Sequence, residues 1–122
     1  MARYRLSGPA KADIAAILRA SEKRHGVQAR VRYRGLLTAA LRRIAADPAG
    51  HATADRSDLL AGVRNLHIRY SRDESREGRV ANPVHVIFFR VARPGLIEVV
   101  QVLHERMDPR RHLEGEEESP AR

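Results

Sequence analysis

The sequence contains no cysteine and no tryptophan. The first absence excludes disulfides and thiolate metal sites. With only two Phe and three Tyr besides, few aromatic platforms exist on which bases could stack, which counts against a stacking-type binder of single-stranded nucleic acid. No apolar run approaches the roughly 20 residues needed to span a bilayer. Met1-Ala-Arg-Tyr-Arg leads straight into folded-looking sequence without the apolar stretch of a signal peptide. A reduced, cytoplasmic protein without membrane association is expected. Gly8, Gly26 and Gly35 stand alone, outside any GxGxxG or GxxxxGK phosphate loop. The six histidines include no pair at i, i+3 or i+4, so no metal site is expected. Ser and His residues form no recognisable nucleophile motif, and no cofactor is implied.

Positive charge is abundant. The 122 residues, the length of one domain, hold 23 basic and 15 acidic side chains, a net charge of +8. Glu114, Glu116, Glu117 and Glu118 crowd the end of the chain, so residues 1–113 hold 22 basic and 11 acidic residues. Such a balance either marks an anionic partner (nucleic acid, an acidic protein segment or anionic lipid) or reflects arginine-rich coding, since 21 of the 23 basic residues are Arg. Charge alone does not choose among these. The apolar complement is thin. Alanine supplies 18 residues, leaving 11 Leu, 10 Val and 6 Ile to build a modest core.

Periodicity orders the chain. Residues 3–7 alternate polar and apolar around Tyr4 and Leu6, as in a short strand. Ser7-Gly8-Pro9 ends that strand and opens a helix, with Ser7 as cap and Pro9 in the first turn. Ile14, Ile17 and Leu18 form its apolar stripe, and Gly26 suits its end. A second helix is expected over Val27–Ala46, because Tyr33, Leu37, Ala40, Leu41 and Ile44 recur at helical spacing before Asp47-Pro48. So short a connector makes the pair a helical hairpin. Residues 47–62 read as loop. Residues 63–68 read as a partly buried strand of ambiguous facing. Residues 71–79 are polar throughout and predict an exposed, mobile hairpin loop. Val84–Val91 and Ile97–Leu103, separated by Pro94-Gly95, read as paired strands. Pro109–Leu113 could form one helical turn. The order β-α-α-β-β-β predicts an α+β fold, the hairpin packed on one face of a small antiparallel sheet. Residues 1–113 form the expected domain, and 114–122 an acidic tail expected to be disordered.

Four strings in this order carry a resemblance. They are Tyr4-Arg-Leu-Ser-Gly-Pro-Ala-Lys-Ala-Asp-Ile14, Gly62-Val-Arg-Asn-Leu66, His85-Val-Ile-Phe-Phe-Arg-Val91 and, most specifically, Val102-Leu-His-Glu-Arg-Met-Asp-Pro-Arg-Arg-His-Leu113. Together they resemble the ParE branch of the RelE/ParE toxin superfamily. The charged stretch 71–79 is longer than the turn expected in compact members. The resemblance implies the toxic half of a type II toxin–antitoxin system, inhibiting DNA gyrase and hence replication. It also implies a ParD-like ribbon-helix-helix antitoxin, a hetero-oligomer with that antitoxin, and operator DNA reached through it. The alternative within the superfamily is a RelE-like ribosome-dependent mRNA endonuclease. A further alternative is a weakened toxin acting mainly within an antitoxin–operator complex.

A nuclease of that kind needs a base, an acid and a cation for the phosphorane charge. By resemblance in position, Arg106, His104 and His112 are the candidates. Val86 stands where the ribonuclease Arg is expected, beside His85. The lysine pair of the cutting members has no counterpart, since Lys11 and Lys23 both lie in the first helix. This leans towards a binding protein rather than an enzyme. Arg64, Arg90, His104, Arg106, Arg110 and Arg111 are the candidates for contact with antitoxin or target. Each has a plainer reading: His104 as a structural histidine, Arg106 paired with Asp108 or Glu105, Arg64 and Arg90 on a solvated face, His112 at the surface.

Overall fold

The computed structural model describes residues 2–118, with side chains from Ala2 to Leu113. Strand β1 (Arg3–Leu6) leads into helix α1 (Gly8–His25). Ser7 makes the junction. Its Oγ accepts from the Ala10 N–H at 3.0 Å and donates to the Val100 carbonyl at 2.7 Å, so one hydroxyl caps the helix and ties it to the sheet. Gly26 separates α1 from α2 (Val27–Ala46) and takes φ +93°, a value L side chains resist, so the chain reverses within one residue. The helical hairpin is as expected. Tyr33, Leu37, Ala40, Leu41 and Ile44 are buried, and so is Leu18 of α1.

The remaining chain gives β2 (Ala54–Asp55), β3 (Arg64–His67), β4 (His85–Arg93), β5 (Leu96–His104) and α3 (Pro109–Glu118). The sheet order is β1-β5-β4-β3-β2. Strands β3, β4 and β5 form an antiparallel meander, with Pro94-Gly95 between the paired residues Arg93 and Leu96. The α+β class is as expected, but a fifth strand, β2, lies within the 47–62 stretch expected to be loop and pairs with β3, and the sheet is mixed. Strand β1 runs parallel to β5, pairing Arg3 with Leu96 and Leu6 with Val99. A parallel partner needs a long crossover, and residues 7–95 lie between these two strands.

Each face of the sheet has its own cluster. Ile87, Phe89, Ile97, Val99 and Val102 meet Leu36, Leu37 and Ile44 on the helix side. Phe88, Val100 and Leu103 meet Leu59, Leu60, Val63 and Leu113 on the other. This second layer comes from the 56–63 loop and α3, and it exceeds the one covered face foreseen. It also explains the ambiguous facing of residues 63–68: Val63 and Leu66 enter opposite clusters.

The loop expectation for 71–79 needs correction. A 3-10 segment spans Ile68–Glu74, and Ser71 within it is fully buried. The Arg43 guanidinium of α2 donates to the Tyr70 carbonyl and pairs with Glu74 at 3.5 Å. The Glu77 side chain lies where a Cβ at Gly35 would sit, so glycine permits this close approach. Polarity along the segment reports charged tips facing water, whereas its backbone rests on α2. Helix α3 also runs further than the single turn foreseen, reaching Glu118. The tail expectation falls on side chains 114–122 and backbone 119–122, which lie outside the described residues.

Candidate functional site

A groove of about 790 Å³ opens between the helical hairpin and the ends of β4 and β5. Helix α1 contributes Ile17, Ala20 and Arg24, and the start of α2 contributes Arg32 and Tyr33. Val80 and Val84 form the opposite wall, with Met107 beyond the strand ends. The floor ends at His85 and His104, which face each other across the β4–β5 pair. Small alanines on α1 and α2 leave the space open, and the Arg side chains rim it. Among the described residues, no Asp or Glu lines the groove. Arg24 and Arg32 have no ion-pair or hydrogen-bond partner among the described residues. The groove thus combines an apolar floor with free positive charge, a combination suited to an anionic partner with an apolar side.

Hydrogen bonds set the state of the histidines. The Tyr33 hydroxyl accepts from the Val84 N–H at 3.2 Å, which directs its proton to His85 Nδ1 at 2.6 Å. His104 Nδ1 accepts from the Arg106 N–H at 3.1 Å. Both neutral rings therefore carry their proton on Nε2. The two rings meet edge to face, centroids 5.5 Å apart, and Tyr33 meets His85 in the same way. Burial, reinforced by the fields of His104 and His67 and opposed by Glu105, lowers the His85 pKa from 6.5 to about 4. Burial likewise raises the Tyr33 pKa, against the Val84 hydrogen bond. His67 Nδ1 accepts from the Arg69 N–H, and its Nε2–H donates to Glu105 Oε1 at 2.7 Å. That bond holds the Glu105 carboxyl below its ordinary range.

The structure separates the candidate residues named from sequence. His104 lines the groove. Arg64 donates to Thr53 Oγ1 at 2.8 and 3.2 Å, and Arg90 pairs with Glu98 on β5 at 3.0 Å. Arg110 lies 3.6 Å from Asp58, with its amide on Asp108. Arg106, Arg111 and His112 are exposed and do not line the groove. His112 rides on α3, which docks on the opposite sheet face through Leu113. The three nuclease candidates therefore do not converge on the groove. No group of three or more His, Cys, Asp or Glu among the described residues is arranged to hold a metal. Sequence reasoning missed Tyr33, His85, Arg24 and Arg32 as site residues. Tyr33 was legible only as part of an apolar stripe. The pairing of His85 with His104 had a usable signal, because counting outward from the Pro94-Gly95 turn brings these two residues opposite each other.

Residues 4–109 match the family described as the ParE toxin of type II toxin-antitoxin system, parDE. This chain belongs to the ParE toxin family. Toxin ParE1 of Caulobacter vibrioides is 37% identical over 113 residues, covering 93% of this chain and 99% of that protein. Toxin ParE1 of Mycobacterium tuberculosis is 33% identical over 111 residues, covering 91% and 97%. The ParE family match runs from β1 to the first residue of α3 and so includes every element lining the groove. Among the described residues, no helix of this ParE-family chain is long and apolar enough to cross a membrane.

Proposed function

We propose that this toxin of a type II toxin–antitoxin system stops replication by inhibiting DNA gyrase as a binding protein. We further propose that an antitoxin of the ParD-like, ribbon-helix-helix kind neutralises it in the cytoplasm within a hetero-oligomer. The antitoxin, not the toxin, would contact operator DNA. Family membership carries the gyrase reading. Of the three nuclease candidates only His104 lines the groove, and His112 rides on α3 at the opposite sheet face; this separation supports binding over RNA cleavage, since acid–base catalysis requires its groups within hydrogen-bond reach of one substrate. The groove supports the antitoxin part. Its free Arg24 and Arg32 above an apolar floor suit an acidic, amphipathic segment, for which charge steers encounter and apolar burial holds the complex.

Supercoiling of relaxed plasmid by purified gyrase tests this function. Added toxin should block the reaction in a dose-dependent manner, and prior mixing with the antitoxin should restore it. Undiminished supercoiling at a large excess of folded toxin would refute gyrase as the target.

A further inference from the structure

The two imidazoles at the groove's floor share a feature that family membership does not supply. Each spends its Nδ1 inside the protein, His85 on the Tyr33 hydroxyl and His104 on the Arg106 amide. Each keeps Nε2–H as its remaining donor, and neither Nε2 has a partner among the described residues. His67 behaves otherwise, because Glu105 occupies its Nε2. Two rings, each with an unpartnered N–H donor, thus line the groove with centroids 5.5 Å apart, together with the free Arg24 and Arg32 and with no carboxylate among the described lining residues.

We propose that His85 and His104 form an anchor for one carboxylate of the acidic segment that docks in the groove, and so determine which acidic segments are accepted. This rests on reading the groove as the antitoxin's seat. One N–H from each ring would match the two oxygens of a carboxylate, and a charge-assisted hydrogen bond is about twice as strong as a neutral one. The Tyr33–Val84 bridge fixes the His85 ring and the Arg106 amide fixes that of His104, so little side-chain freedom is lost when the anion arrives. The Ile17 and Val80 walls then receive the apolar side chains flanking that carboxylate. An isosteric amide would present an N–H₂ to a second donor and be rejected.

The toxin alone, with small probes, tests the anchor. Hexanoate carries a carboxylate on a short apolar chain, hexanamide is its neutral counterpart, and hexyl phosphate tests a phosphate-bearing partner instead. Ring ¹H–¹⁵N correlation spectra should show hexanoate shifting the Nε2 signals of His85 and His104 together, while hexanamide at equal concentration leaves them in place. His104→Gln, at a partly buried site, should weaken hexanoate about tenfold, the equivalent of about 1.4 kcal/mol. His85→Gln, which can still accept from Tyr33, is the second variant should the first disturb the strand end. Equal effects of hexanoate and hexanamide, hexanoate affinity unchanged in both folded variants, or no response to hexanoate would overturn the anchor. Tighter binding of hexyl phosphate at the same rings would overturn the choice of a carboxylate-bearing partner. Failure of the seat itself reads out differently. Antitoxin capture that survives Ala20→Arg in the groove would remove the seat while leaving the hexanoate result intact.

Discussion

Protonating His85 works against the fold. In the folded chain its pKa lies near 4, against 6.5 for the free side chain, because burial and two neighbouring imidazoles disfavour the cation. Between these values the unfolded chain binds more protons than the folded one. Stability contributed by neutral His85 is therefore complete above pH 6.5 and is lost progressively as pH falls towards 4. Urea midpoints measured across that window should fall for the wild type and fall less steeply for His85→Gln; parallel profiles would show that another group sets the slope. Tyr33 belongs to the same network. Tyr33→Phe removes one hydroxyl that serves two polar groups, the Val84 N–H and His85 Nδ1. Stranding partly buried partners costs about 1–3 kcal/mol, so urea denaturation should show a loss of that order. A loss no greater than for an exposed Tyr70→Phe control would mean that water replaces the hydroxyl. By contrast, the Arg90–Glu98 pair across β4 and β5 is partly exposed, and pairs of that kind contribute little.

At the scale of elements, α3 bears more weight than a terminal turn. Leu113 is fully buried against Leu59, Val63 and Phe88. Leu113→Ala should cost about 2–4 kcal/mol by the usual cost of a core truncation, read from urea unfolding; a loss under about 1 kcal/mol would place α3 outside the cooperative unit. The helices were the most legible elements in the sequence. Ser7, Pro9, Gly26 and Asp47 mark their ends, and one apolar stripe names the buried face of α2. The β4–β5 hairpin was legible for the same reason, through Pro94-Gly95. The packed 3-10 segment was not. Its buried groups are Ile68 and a single serine, and the feature that seats it is the absence of a Cβ at Gly35, more than thirty residues upstream. The groove was equally hidden. Tyr33 sits in a stripe indistinguishable from core, while Arg24 and Arg32 are two among many arginines. Their significance depends on which cations lack partners, a property of the fold and not of the string. Asp13 makes the same point: its carboxylate accepts the Val102 N–H at 3.0 Å, joining α1 to β5 across 89 positions of sequence.

At the scale of the whole molecule, the uneven charge and the groove act together. Residues 1–113 hold twice as many basic as acidic side chains, and a field of that sign accelerates encounter with any acidic partner while falling steeply with salt. Specificity then rests with the few groups at the groove, where the apolar floor and fixed donors replace long-range attraction. The parallel pairing of β1 with β5 has a consequence of another kind. Strand β5 is made long after the β1 strand it pairs with, and Ser7 must reach Val100, 93 positions further on, before α1 can settle on the sheet. Contacts of such long sequence separation form late and slowly. A ribosome translating this message therefore holds a nascent chain with an unfinished sheet until β5 has emerged. The groove, whose floor includes His104, does not exist before then, so neither does the surface on which an acidic partner would dock.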